Sequence, residues 1–204
     1  MEKILNAFEG YLRGEKDVSP ATIRSYLSDL KKFMRWYFET TGDPVRVDAV
    51  GPLDIAEFKR YMLNQNRKPA TINRALASLS TFFTWAVGQG HAAQNPVSGV
   101  KPVRETRSAP RALGRREQLA LMRAVQKSGR VRDIALVTLL LHTGLRVSEV
   151  CALTLEDITL RERSGVVVVR SGKGSKRREV PLNATARKAL KNWLAVRGEA
   201  PGPL

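Results

Sequence analysis

The stretch LLLHTGLRVSEVCAL, residues 139–153, decides how this chain is read. An apolar run ends in Thr143-Gly144-Leu145, Arg146 follows at once, and a second apolar helical pattern begins behind it. Arginine is almost never fully buried unless something pairs with it. Arg146 therefore needs a partner, and the residues around the stretch indicate which kind.

Bulk properties narrow the classes. The chain has 204 residues, enough for one large or two small domains, and is 43% apolar, enough for a packed core. No apolar run approaches the about 18 residues of a membrane span. The N-terminus, MEKILNAFEGYL, is amphipathic and charged, unlike a signal peptide. The single cysteine, Cys151, excludes an internal disulfide, and with only His91 and His142 beside it no metal cluster is expected. A reducing cytoplasm fits. Charge is the strongest bulk feature: 35 Lys and Arg against 19 Asp and Glu. Residues 1–100 hold 13 basic and 10 acidic side chains, residues 101–204 hold 22 and 9. So uneven a basic surface points to a polyanion, most simply nucleic acid, although solvated Lys and Arg of an ordinary basic protein give the same totals.

The first hundred residues read as four helices joined by short loops, a small bundle. SPATIRSYLSDLKKFMRWYFETTG opens on Ser19 as N-cap and Pro20 at the first helical position. Ile23, Leu27, Leu30, Met34 and Tyr37 recur at helical spacing until Gly42. KPATINRALASLSTFFTWAVGQG repeats the logic from Pro69 through Ile72, Leu76, Leu79, Phe83 and Ala86 to Gly88 and Gly90. Shorter helices fit 2–13 and 53–65. The polar faces of the long helices offer Thr22, Arg24, Ser25, Lys31, Lys32 and Arg35 on one, and Lys68, Thr71, Asn73, Arg74 and Ser78 on the other. Such side chains suit phosphate and base-edge contacts, and an ordinary solvated face looks the same.

NPVSGVKPVRETRSAPRALGRREQ follows. Pro96, Pro102 and Pro110, with two glycines and no apolar period, mark a linker. Lys101, Arg104, Arg107, Arg111, Arg115 and Arg116 make it basic, so it suits either a phosphate backbone or a passive spacer. Beyond it, RREQLALMRAVQKSG is amphipathic, and VRDIALVTLLLHTG is apolar nearly all round, as a buried core helix is. Gly144 ends that helix and RVSEVCAL starts a short one. SGVVVVRSGKGSKRREVPL then changes period: a β-branched run at Val166–Val169, a glycine-bearing turn and a return strand, hence a β-hairpin. NATARKALKNWLAVRG closes as a helix starting near Asn183 or Thr185.

The words TGLRVSEVCALTLEDI and VVVVRSGKGSKRREVPL, in that order, behind a four-helix pattern and a basic linker, resemble the tyrosine recombinases, or phage integrases, of the Xer and integron-integrase kind. The resemblance implies a mainly α chain. An N-terminal SAM-like core-binding domain would occupy 1–100, a linker 101–114, and the first part of an α+β catalytic domain with a small antiparallel β-hairpin 115–204. It implies double-stranded DNA as partner, protomers associating as four on two duplexes, and neither metal nor nucleotide cofactor, because a phosphotyrosine link stores the phosphodiester energy. In this family the arginine of the first motif binds the scissile phosphate; by match that is Arg146, whose planar, permanently charged group can hold two phosphate oxygens. The alternative is an internal ion pair with Glu149 or Asp157, residues read here as structural holders of backbone or of neighbouring arginines. A lysine in the family's hairpin turn protonates the leaving 5′-oxygen; by position that is Lys173, with Lys176 second. Arg170, Arg177 and Arg178 are expected on backbone phosphates, as are Lys101, Arg104 and Arg107 of the linker.

The pattern also breaks. The family's nucleophilic tyrosine and His-x-x-Arg element have no counterpart after the hairpin: Tyr11, Tyr26, Tyr37 and Tyr61 all stand in the first half, and His142 is four residues before Arg146. The expectation is a DNA-binding portion of a longer recombinase, or a truncated DNA-binding protein that occupies recombination sites; in both cases this chain alone does not complete cleavage. Leu136, Leu139 and Leu140 are then expected to leave apolar surface exposed.

Overall fold

A computed structural model of the chain describes residues 2–16, 18–105, 111–170 and 177–204. The chain divides into two compact units, Met1–Ser108 and Ala109–Leu204.

The first unit holds α1 (Glu2–Gly14), α2 (Pro20–Thr41), α3 (Pro52–Asn64) and α4 (Pro69–Gly88). Three of the four start on proline, whose missing N–H costs nothing in a first turn. Ser19 caps α2 by accepting the Thr22 N–H at 3.2 Å. Gly42 ends it in the left-handed region, φ 80°, donating to the Phe38 carbonyl at 2.9 Å. The core is aromatic. Phe8, Phe33, Phe58 and Phe83 are fully buried, and Phe8–Phe82 and Phe33–Phe58 meet edge to face at 5.2 Å. One charge lies within it: Asp29, 1% exposed, accepts from Arg74 Nη1 at 2.6 Å and from Ser78 Oγ at 3.1 Å.

The segment read as a linker begins on this unit. Val100 and Val103 pack against the aromatic core, and the Lys101 carbonyl accepts from Lys59 Nζ on α3 at 2.6 Å. The described part of that segment, 101–105, is thus laid along α3 and α4.

The second unit runs α5 (Arg115–Lys127), α6 (Val131–Thr143), α7 (Val147–Cys151), a single 3₁₀ turn (Leu155–Asp157), β1 (Ile158–Leu160), β2 (Gly165–Val169), β3 (Arg178–Pro181) and α8 (Ala184–Arg197). The strands form an antiparallel sheet in the order β1-β2-β3, with Ile158 opposite Val167 and Val169 opposite Arg178. The hairpin partners β2 and β3 match the sequence reading; β1 does not appear in it. Three residues carry too little period to register as a strand, and β1 exists because β2 offers it a ladder. Asn183 caps α8, accepting the Ala186 N–H at 2.9 Å.

The core of this unit is aliphatic: Leu139, Leu145, Val150, Leu153, Val167, Val169, Leu182, Ala186 and Leu190. The expectation of a helix 132–142 buried all round needs correction. Only Ala135, Thr138 and Leu139 of α6 are buried. Leu139 lies in the core, not on exposed apolar surface, while Leu136 and Leu140 are half-buried at its edge. The exposed large apolar groups lie elsewhere: Leu119 and Leu121 on α5, where no residue is buried, Leu113 before it, Val147 on α7 and Val196 on α8.

Candidate functional site

Gly144, at φ 65°, ends α6 and turns the chain so that Arg146 becomes the N-cap of α7. A residue with a Cβ strains in that region, which accounts for glycine there. Glu149, three residues on, folds back on the start of the helix. One carboxylate oxygen accepts the Arg146 N–H at 2.8 Å, and the other accepts Arg146 Nη1, also at 2.8 Å. Both oxygens are taken a second time by Arg178 of β3, at 3.0 Å and 2.7 Å. A single carboxylate, 4% exposed, thereby gathers two guanidiniums that are 61% and 39% exposed.

The charges explain the arrangement. The Arg178 hydrogen bonds, then the Arg146 N–H, hold the Glu149 carboxyl down at about 2 from its ordinary 4.5, although its desolvation works the other way. Glu149 raises the Arg178 guanidinium in return. Two fixed cations over one buried anion leave net positive charge facing outward. Arg146 stands open to solvent with its pairing group beneath it.

A second node repeats the device. Burial works to raise the Asp157 carboxyl, but the Thr154 N–H (2.9 Å), the Arg170 Nε–H and the Thr154 hydroxyl (3.0 Å) keep it lowered. Arg170 also reaches Glu156 at 2.9 Å, and both carboxylates raise its guanidinium. Between the nodes a hollow of about 320 Å³ is lined by residues that include Ser148, Glu149, Asp157 and Arg170. Arg177 pairs with Glu179 at 3.2 Å. Lys173 and Lys176 lie outside the described residues, as does Arg107. Val169 and Arg178, which flank the segment carrying both lysines, are paired across β2 and β3, and Arg178 belongs to the Glu149 node.

In the first unit the expected contact residues divide in two. Arg24, Lys31 and Arg35 lie on one face of α2, exposed, and make no ion pair among the described residues. Thr22, beside the exposed Ser19, and Thr71, at the start of α4, are both half-buried. The others are engaged inside the unit. Arg74 pairs with the buried Asp29, and Ser78, expected on a polar surface, is fully buried against the same carboxylate. The Asn73 amide is bonded to Val103 and Glu105. Lys101 and Arg104 keep exposed side chains. Sequence reasoning missed Asp29 as the group that anchors Arg74. A carboxylate at an outward-looking position of an amphipathic helix carries no signal of burial until α4 is laid against it. It also missed that Arg178 shares the Arg146 carboxylate; only Arg146-x-x-Glu149, a capping-box spacing, was visible.

Residues 111–203 match the phage integrase family, and residues 5–90 match the phage integrase N-terminal SAM-like domain. The tyrosine recombinase XerC of Myxococcus xanthus is 36% identical over 203 residues, which are 98% of this chain and 65% of that protein. The chain thus spans just under two thirds of the length of that relative. In fold it is similar to a lambda integrase dimer bound to a COC′ core site, with a TM-score of 0.74 at 20% identity, covering 97% of this chain and 70% of the other. A lambda integrase tetramer bound to a Holliday junction is equally similar, at 0.74 and 20%, covering 96% and 54%. With both units matched in order along nearly the whole chain, this protein belongs to the phage integrase family of tyrosine recombinases.

Proposed function

We propose that the chain is the DNA-engaging portion of a site-specific recombinase that cuts and rejoins duplex DNA through a phosphotyrosine intermediate. One observation carries this reading: Glu149 draws Arg146 and Arg178, from different elements, into one outward-facing cationic pair. Two guanidiniums so held present pre-oriented donors to one phosphate, with little reorganisation on binding. Lys173, in the segment between Val169 and Arg178, is the proton donor to the leaving 5′-oxygen. Arg24, Lys31 and Arg35 of α2, with Thr22, Thr71, Lys101 and Arg104, grip the duplex backbone. Units 1–100 and 115–204 divide the work between grip and phosphate chemistry, with 101–114 joining them. The similar lambda integrase assemblies, a dimer on a core site and a tetramer on a Holliday junction, support several protomers per site, and we place this action in the cytoplasm.

A second reading, a non-cutting protein that occupies recombination sites, is favoured by one fact. All four tyrosines of the chain lie in its first unit, whereas Arg146 belongs to the second. A covalent adduct on a nicked duplex distinguishes the two readings. Duplex affinity is expected to fall steeply with salt, by about 0.9 log units per log unit for each phosphate neutralised. Arg146→Ala is expected to lower that slope by about 1 while the protein stays folded. Affinity that ignores salt overturns the DNA reading, and an Arg146→Ala protein that fails to fold shows the arginine to be structural.

A further inference from the structure

Asn73 stands on the polar face of α4, where sequence reasoning places a base-reading side chain. Its amide is fully engaged elsewhere. The oxygen accepts the Val103 N–H at 2.8 Å, and the nitrogen donates to the Val103 carbonyl at 2.8 Å and to Glu105 Oε1 at 2.7 Å. The Val103 N–H fixes which end of the amide is oxygen. Both of its N–H groups are occupied, so it has no donor left for an adenine edge, which takes one donor and one acceptor. Around it, Val100 and Val103 pack on the core, Lys59 holds the Lys101 carbonyl, and Pro102 between them has no N–H to satisfy.

At the other end, Arg111 pairs with Glu117 at 2.8 Å and the Leu113 carbonyl accepts from Gln118 at 2.9 Å, both on α5. The covalent path from Glu105 to Arg111 is six residues, a reach of at most about 22 Å at full extension.

We infer that Asn73 is a positioning residue: it clamps the start of the interdomain segment onto α4 and so shortens the tether by which two DNA-engaging units act on one duplex. This rests on the function proposed above. With the clamp released, the path starts at Val100 and grows to eleven residues. Effective concentration falls as roughly the −3/2 power of tether length, so the coupling weakens about two- to threefold.

The test uses the full chain with Asn73→Asp, which keeps the acceptor, loses the donors and faces Glu105 with a like charge. Val103 N–H exchange and tryptic cleavage after Arg104, both without DNA, are expected to speed up about tenfold, as for the loss of an about 1.4 kcal/mol bond. The ratio of affinities for mixed-sequence duplexes of about three turns and about one turn is expected to fall two- to threefold. Adding Glu105→Lys is expected to restore both readouts. Lys59→Met, at a half-buried rim position, is expected to move them the same way by less, and it decides the matter should Asn73→Asp not fold. Unchanged exchange in both variants overturns the clamp. Faster exchange with an unchanged duplex ratio overturns the positioning role. A parent chain that binds neither duplex defeats the proposed function, and the positioning role with it, while exchange still reports the clamp.

Discussion

The two units solve the same problem with different forces. The first is held by rings: Phe8, Phe33, Phe58, Phe82, Phe83, Trp36 and Trp85 are all buried, and they pack edge to face or tilted. The second has no aromatic ring among its described buried residues; its core is leucine, valine and alanine. Its surface order rests on two buried carboxylates, Glu149 under Arg146 and Arg178 and Asp157 under Arg170, a device the first unit uses at Asp29 under Arg74. Under the proposed function, the first unit presents an α2 face, for which non-directional burial largely suffices, whereas aiming particular guanidiniums at a phosphate calls for directional bonds, of which charge-assisted ones are the strongest.

The comparison breaks most readily at Phe58. Phe58→Ala is expected to cost about 3–5 kcal/mol, read from Trp36, whose ring lies 5.2 Å away. Leu190→Ala in the second core is expected to cost less, toward the lower end of the about 2–5 kcal/mol range, because fewer large neighbours surround it. Equal losses in chemical denaturation, with Trp193→Phe separating the fluorescence of the units, would erase the distinction.

Acid is the next test, and it addresses only the second unit's device. Glu149 titrates at about 2 when folded against an ordinary 4.5, so between these values the unfolded chain binds more protons. Its stabilising share is complete above 4.5 and is lost as pH falls toward 2. The Nε–H resonances of Arg146 and Arg178 are expected to move together across that window, and in Glu149→Gln to lose the transition. Resonances that stay fixed down to pH 2 would mean that the carboxylate does not hold them.

The smallest effect belongs to Gly144→Ala. A Cβ there meets open space, so only the left-handed backbone, φ 65°, is penalised, at about 1–2 kcal/mol. Gly42→Ala, at φ 80° and equally open, is expected to cost the same. The difference is functional: only Gly144→Ala is expected also to weaken phosphate engagement, because it misaims Arg146.

Much of the fold is legible in the order of residues. Ser19-Pro20, Pro69, Gly42 and Gly144 mark helix ends by local chemistry, and these α2, α4 and α6 limits stand in the structure to within a residue or two. The hairpin partners β2 and β3 show in the Val166–Val169 run. The motif around Arg146 names the family without any tertiary knowledge. What does not show is any property set by a neighbour distant in sequence. β1 needs β2. Asp29 becomes a buried anchor only when Arg74, 45 residues on, closes over it.

The same divide separates the arginines from their roles. Charge, spacing and the Thr-Gly-Leu-Arg word identify a phosphate-binding candidate, because covalent order alone places Arg146 behind a helix-ending glycine. That Arg178 shares its carboxylate, that Arg74 is anchored on the buried Asp29 and that Asn73 holds Val103 rather than facing outward were decided by packing. Side-chain hydrogen bonds to residues 29 to 45 positions away exist only once the apolar faces have brought their backbones within reach.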